Sequence, residues 1–305
     1  MMSSVFFVLL HHSMKELSIL IPTFNDACDA LVTALHSQAE ALGIDYEIIV
    51  ADDGSKDDAV VEGNRRINGL SHCKVIEQQQ NIGRAAIRNF LTQQARYEWL
   101  LFIDSDMVVC REDFVKRYVS HEGHDIVYGG VVIGAVEEGN LRSVYEKVAE
   151  KEHTLEKRLQ SPYQDFHTAN YMIKRELMLQ HPFDERFRYY GYEDVLMGKA
   201  MKQAGVAIDH IDNPLSFEVF EDNEAFVAKT EEGLRTLYTF RDELKGYSRL
   251  LDRIEMLPMG LVRLWHRLFG PIEKRKLLGP HPSLTVFNLY KIGYYATLQG
   301  QNTRG

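Results

Sequence analysis

Residues 101–107 read Leu-Phe-Ile-Asp-Ser-Asp-Met, an apolar run that ends in two carboxylates, Asp104 and Asp106, one residue apart. A strand buried on both faces of a parallel sheet is apolar along its length, and ligands in open α/β sheets bind beyond the carboxyl ends of such strands. Two carboxylates there repel each other unless a cation or a ligand offsets their charge. The stretch therefore reads as a strand that delivers oxygen ligands to a divalent metal. The local alternative has Asp104 capping a helix that begins near Glu112, with Asp106 as a turn residue.

Strand and helix patterns alternate on the N-terminal side of this stretch. An apolar strand over 18–21 stops at Pro22, helical spacing covers 30–42, and a second strand covers 46–50. The turn Asp52-Asp53-Gly54-Ser55 follows, then a helix to about Ile67, a strand at 73–77, a helix at 83–94 and the strand at 99–103. This order predicts an α/β fold with a mostly parallel central sheet flanked by helices. Beyond Ile126 a Gly-rich strand over 127–134 precedes a polar helix at 143–159, and mixed pairing is expected. A further helix over 194–205 closes at Gly205. From Asn223 the chain reads as helices over 225–243, 247–256 and 261–269. No linker rich in Pro, Gly or Ser divides it, so the expected organisation is a catalytic domain over 15–222 with a helical C-terminal extension over 223–305. The segment 1–14 stands apart: its apolar run, 5–10, is too short to span a bilayer and lacks a basic flank, which suits an appended strand or initiation at Met14.

With 305 residues and 45% hydrophobic content the chain can bury a large core. Its 35 basic and 44 acidic residues leave a formal charge of −9, which disfavours a nucleic-acid binder and suits a protein that holds a phosphorylated ligand through a few placed groups and a metal. Cys28, Cys73 and Cys110 are odd in number and lack a Cys-x-x-Cys pair, so neither a disulfide framework nor a structural zinc site is indicated, and a reducing cytoplasm is the simplest compartment.

The turns carry chemistry of their own. Asp53, at a strand's carboxyl end, can accept the imide N–H of a uracil, and Phe24 offers a ring to stack on the base. A helix N-cap is the plainer use of Asp52 and Asp53. Gly83 permits close backbone approach at a helix start, and Arg84 and Arg88, four residues apart, share a face that can reach a diphosphate. Glu193 and Asp194 open a helix, where an acidic first turn also complements the dipole.

Taken together, Ser18-Ile-Leu-Ile-Pro-Thr-Phe-Asn25, Val50-Ala-Asp-Asp-Gly-Ser55, Asn81-Ile-Gly-Arg-Ala-Ala-Ile-Arg-Asn89, Ile103-Asp-Ser-Asp106, Thr168-Ala-Asn170 and Gly191-Tyr-Glu-Asp194 resemble, in order and spacing, an inverting family 2 glycosyltransferase of the GT-A fold. The resemblance covers roughly 17–220. It implies that Pro22, Phe24, Asn25, Asp53, Asn81, Gly83, Arg84, Arg88 and Asp104 contact a nucleotide-sugar donor, with a UDP-sugar the expected one, Asp53 on the base and Arg88 the stronger of the two arginines. It implies that Asp106 binds Mn²⁺ or Mg²⁺ directly and that Asp104 contacts the ribose or the metal through water. It also implies Asp194 as general base and Glu193 as an acceptor hydrogen-bonding group, with the reverse assignment open, for transfer to a hydroxyl of a glycan or lipid-linked saccharide. A binding domain without turnover is the alternative. One departure stands out: many relatives carry a metal-binding His after the acidic pair, and 212–218 has none, while His210 lies in a strand-like segment. His167 could face the acceptor, and Tyr189, Tyr190 and Tyr192 could stack on sugars. The chain has no Gly-rich triphosphate loop and no G-x-G-x-x-G after its first strand, which excludes sugar nucleotidyltransferases and Rossmann dehydrogenases.

In the extension, Leu261, Leu264, Trp265 and Leu268 recur at helical spacing, and 261–280 carry Arg263, Arg267, Lys274, Arg275 and Lys276 against one acid, Glu273. Such a helix can make peripheral contact with an anionic membrane, on the inner face of the cell membrane for a cytoplasmic protein. The reading preferred from spacing alone packs this stripe onto the catalytic domain.

Overall fold

The run that ends at Ile103 is a strand with both faces buried, and its neighbours show why. The computed structural model describes residues 14–301, so the apolar segment 5–10 lies outside the described residues. The first half comprises β1 (Glu16–Thr23), α1 (Asp29–Leu42), β2 (Asp45–Asp52), α2 (Asp58–Arg65), β3 (Cys73–Glu77), α3 (Arg84–Gln94), β4 (Trp99–Ile103), β5 (Met107–Val108) and α4 (Phe114–Val119). Then come β6 (Ile126–Tyr128), β7 (Val131–Ile133), α5 (Leu141–Glu150), α6 (Leu155–Gln160), β8 (Asn170–Lys174), α7 (Arg175–Gln180), α8 (Glu193–Ala204), β9 (Asp209–His210) and β10 (Leu215–Phe217). The C-terminal helices are α9 (Asn223–Thr239), α10 (Arg241–Leu244), α11 (Arg249–Glu255), α12 (Met259–Leu277) and α13 (Leu284–Gln301).

The main sheet has the order β3-β2-β1-β4-β8-β6-β9. It is parallel from β3 through β4, and β8 runs antiparallel to both β4 and β6. The chain builds outward from β1 to β3 and returns through α3 to the other side of β1 as β4. That reversal opens a crevice beyond the carboxyl ends of β1 and β4, the place where such sheets bind ligands. Because successive side chains point to opposite faces, Leu20, Ile49, Leu100 and Phe102 pack on one side with α3, α8 and α9, while Ile19, Ile48, Leu101 and Ile103 pack on the other with α1 and α4.

Several expectations are corrected. Pro22 does not end β1; it lies past Leu20, the last residue paired with β4, where the strand has an open edge and a missing N–H is tolerated. The strand expected over 127–134 breaks at Gly129 and Gly130, so β6 stays in the main sheet while β7 joins β10 and β5 in a small second one. A Cβ at Gly129 would stand 2.4 Å from the Asn213 carbonyl, which explains why the break is made of glycine. The helix expected over 143–159 is two helices, the second capped by Thr154. Asp104 caps no helix; α4 begins after Asp113. Helix α12 continues through Pro271 to Leu277, and α13, apolar on nearly all sides and so without one-sided periodicity, was not anticipated. Finally, the Leu261–Leu268 stripe does not pack on the catalytic domain: α12 packs through Gly270, Glu273 and Leu277, and the stripe faces outward.

Candidate active site

Three loops meet at the crevice. After β1, Asn25 takes a left-handed conformation (φ 53°), donates its N–H to Ser55 Oγ at 2.7 Å and accepts from the Lys56 N–H through Oδ1 at 2.7 Å. After β2, Asp52 accepts from the Ser55 N–H, and Gly54 lets the turn lie against Gln80 and Asn81, where a Cβ would come within 2.7 Å of backbone. Asp53 accepts from the Ile82 N–H at 2.7 Å and the Gly83 N–H at 3.0 Å, tying the β2 turn to the start of α3. Burial raises its pKa, against the lowering by those two bonds and by Arg188. Each Asp53 oxygen keeps a second lone pair, and Phe24 stands exposed nearby on the β1 loop.

After β4 the two carboxylates part ways. Asp104 accepts from Arg88 Nη2 at 2.5 Å and lies 3.6 Å from Arg84 Nη2. Arg84 Nε donates to Glu193 Oε1 at 2.9 Å, and Arg88 Nη1 lies 3.8 Å from the same oxygen. Two arginines and two carboxylates thus form one balanced cluster. Burial lowers the Arg84 pKa, but Glu193 and Asp104 outweigh it and keep the guanidinium charged. Asp106 has no such partner. Its Oδ1 is buried without a hydrogen bond, and burial, then the Asp104 charge, raise its pKa to about 6.

Across the crevice, β8 enters antiparallel, so Asn170 pairs with Ile103 and the preceding residues lie at the carboxyl end of β4. The chain turns into α8 through Gly191 and Tyr192, both left-handed, and this presents Asp194 to His167. His167 Nδ1 and Asp194 Oδ2 are 2.9 Å apart, and Asp194 Oδ1 accepts from the Val195 N–H at 2.8 Å. Burial would push Asp194 up, but the hydrogen bond and charge of His167 hold it below the usual carboxylate range. Burial likewise pulls His167 down, and its bond to Asp194 and the Asp194 charge more than reverse that.

A sequence profile described as Glycosyl transferase family 2 matches residues 18–181, more than half of the chain. The chain belongs to glycosyl transferase family 2. The chondroitin synthase of Escherichia coli is 25% identical over 237 residues, 66% of this chain and 34% of that protein, so the chain spans about a third of that curated relative. Among solved structures, the mannosyltransferase PcManGT from Pyrobaculum calidifontis, in complex with GDP-Man and Mn²⁺, superposes with a TM-score of 0.56 at 15% identity, covering 93% of this chain and 86% of that one. S. aureus TarS 1-349 in complex with UDP matches at 18% identity and a TM-score of 0.49, covering 95% and 92%. The chain has the GT-A fold.

The fold brings most of the expected site residues to this one crevice, with changes of emphasis. Arg84 is 38% exposed and Arg88 only 2%, so Arg84 is the arginine open to a ligand while Arg88 holds Asp104. Glu193 is turned inward against the arginines and away from solvent. Asn89 bonds the Phe183 backbone, and Asn170 bonds Gly130 and Asn213, so both are framework residues. Asn81 lines a separate cavity of about 360 Å³ with Gln80, Ile82, Phe90 and Arg188. His210 is a satisfied core histidine: Nε2 meets the Pro162 carbonyl at 2.8 Å, and burial lowers its pKa to about 4. Of the tyrosines, Tyr190 lies under Arg84 and Lys229, whereas Tyr189 is exposed. No group of three or more His, Cys, Asp or Glu suited to a metal occurs among the described residues. Sequence reading missed Lys229, Arg142 and Asp26, whose charges all act on or with Asp106. No local motif marks Arg142 and Lys229, because α5 and α9 reach the crevice only after the chain has folded, whereas Asp26 directly follows the Ser18–Asn25 stretch.

Proposed function

We propose that this enzyme transfers a sugar, with inversion, from a UDP-sugar to a hydroxyl of a glycan or lipid-linked saccharide. The observation that carries this is the unpartnered Oδ1 of Asp106, facing a crevice that holds a balanced arginine cluster on one side and a carboxylate kept ionised by His167 on the other. Phe24 and Asp53 receive the base, with the pyrimidine imide N–H donated to a free lone pair of Asp53. Arg84 and Lys229 meet the diphosphate. Arg88 and Glu193 aim Arg84 and Asp104 rather than touching the acceptor.

A hard divalent cation, Mn²⁺ or Mg²⁺, fits the donor set, since two carboxylates, Asp106 and Asp104, plus phosphate oxygens and water satisfy such an ion without a histidine. When bound it would neutralise charge building on the departing diphosphate. Asp194 takes the acceptor hydroxyl proton, and His167, hydrogen-bonded to its other oxygen, steadies the carboxylate in its ionised form. The domain reading is kept: a catalytic unit over 15–222 and an extension over 223–305 that contributes Lys229. The three free thiols suit a reducing cytoplasm.

Calorimetric titration with UDP, GDP, dTDP and CMP, with and without Mn²⁺, tests the reading. Metal-dependent preference for UDP supports it. Preference for GDP would reassign the base, and failure to bind any nucleotide would overturn the donor site.

A further inference from the structure

The stripe on α12 gathers several of the exposed apolar side chains of the described residues on one helix. Leu261, Leu264, Leu268 and Ile272 are 68%, 55%, 61% and 64% exposed, and Trp265 and Phe269 stack beside them with ring centroids 4.2 Å apart. At about 100° per residue these side chains fall on one arc, opposite Gly270, Glu273 and Leu277, which are buried against the rest of the protein. The helix is therefore held by one face and offers an equally apolar second face to solvent. That second face is rigidly mounted: Lys274 bonds Glu231 at 2.7 Å, Trp265 Nε1 donates to Glu273 at 2.9 Å and Arg263 Nε donates to the Ala296 carbonyl at 3.0 Å.

The charges say what covers it. Arg267 precedes Leu268 by one residue and so sits beside the arc, about 100° from Leu268, while Lys276, eight residues on, falls at about 80° on the other side, in line with Trp265 and Phe269 but two turns further along. Arg275, seven residues on, continues the stripe itself. All three are exposed and have no carboxylate partner among the described residues, and the one acid in 261–280, Glu273, is buried. The chain carries −9 overall, so this positive rim is local and opposes the sign of the whole. A second copy laid on the stripe would set like charges against like. We infer that α12 is an interfacial helix that seats this glycosyltransferase on an anionic lipid bilayer, with leucines in the acyl region and Arg267, Arg275 and Lys276 at the headgroups. No helix among the described residues is long and apolar enough to cross a membrane, so the contact is one of lying on the surface. The inference stands apart from the donor assignment.

Vesicle flotation of the full chain tests this, using phosphatidylcholine alone and phosphatidylcholine mixed with phosphatidylglycerol. The expected result is flotation with the anionic vesicles only, a blue shift of Trp265 emission that Trp265→Phe removes, and a loss of about tenfold or more in partitioning for each of two double variants, Leu264→Glu/Leu268→Glu and Arg267→Glu/Lys276→Glu. All four positions are exposed, so circular dichroism and the nucleotide titration should be unchanged in both variants. Absence of flotation with anionic vesicles, equal flotation with neutral ones, or indifference to both double variants overturns the inference. So does a dimer in sedimentation velocity that the leucine pair dissociates while vesicles are ignored.

Discussion

The two sides of the crevice, proposed to receive donor and acceptor, use carboxylates in opposite ways. On the proposed donor side Arg84, Arg88, Asp104 and Glu193 neutralise one another, while Asp106, outside that cluster, keeps a buried Oδ1 without a hydrogen bond. On the acceptor side Asp194 is held by one side chain, His167, and one backbone N–H. The first arrangement is mutual, so taking out any member leaves a charge stranded at low dielectric and the fold suffers with the site. The second is a pair in which a neutral isostere keeps the Val195 N–H bond on its carbonyl oxygen and can donate its amide N–H to a neutral His167 Nδ1, so that the charge is lost and the geometry is kept. Stability and chemistry are thus coupled on one side and separable on the other.

The largest expected effect attacks the coupled side. Arg88→Met should cost about 3–5 kcal/mol in denaturant unfolding, because Asp104 and Glu193 lose their buried partner; a loss under about 1 kcal/mol would show that the cluster is not mutual. Next, Asp194→Asn should leave unfolding and donor affinity near wild type while transfer falls by about 10²- to 10⁴-fold. Near-normal transfer would remove Asp194 as the base.

Asp106 sharpens the contrast through pH. Its folded pKa, about 6, lies above the ordinary 3.8, so the folded metal-free protein binds the proton more tightly than the unfolded chain does. The contribution of Asp106 to stability should therefore be fullest below about pH 4 and decline by on the order of 1–3 kcal/mol as pH rises through about 6, so the stability difference between the wild type and Asp106→Asn should change by that amount over this range. The same variant should abolish the metal dependence of UDP binding.

The smallest effect concerns His167. Its pKa is raised by Asp194, so the stabilisation it provides is complete below about pH 6.5 and lost as pH rises through the raised value. His167→Gln should accordingly cost about 1 kcal/mol more at pH 6 than at pH 9. Equal cost at both would mean the two side chains meet as neutral hydrogen-bonding groups.

Much of this was legible in the residues. The apolar run into Asp104 placed β4, the alternation of periods placed the parallel half of the sheet, and Gly54 and Gly83 marked backbone approaches that a Cβ would block. These are short-range facts, since strand burial, turn conformation and helix starts depend on side chains a few residues apart. The reading faltered where distant pieces meet. Two glycines looked like part of one strand because nothing local reveals that β7 leaves for another sheet, and the order of exposure of Arg84 and Arg88 depends on which of them Glu193 and Asp104 enclose, from 109 and 16 residues away.

Helix α12 shows the same division most simply. Its sequence determined that one stripe is apolar and that the rim around it is basic, because helical spacing alone sorts side chains by angle. Only the tertiary structure decided which face turns inward. Helix α13 and Glu231 of α9 engage the opposite face, satisfying Lys274 and enclosing Leu277, so the leucines that looked like core are left at the surface. The two carboxylates after β4 divide in the same way. Their spacing follows from the chain, whereas the pairing of Asp104 and the isolation of Asp106 follow from where α3 and α8 come to rest.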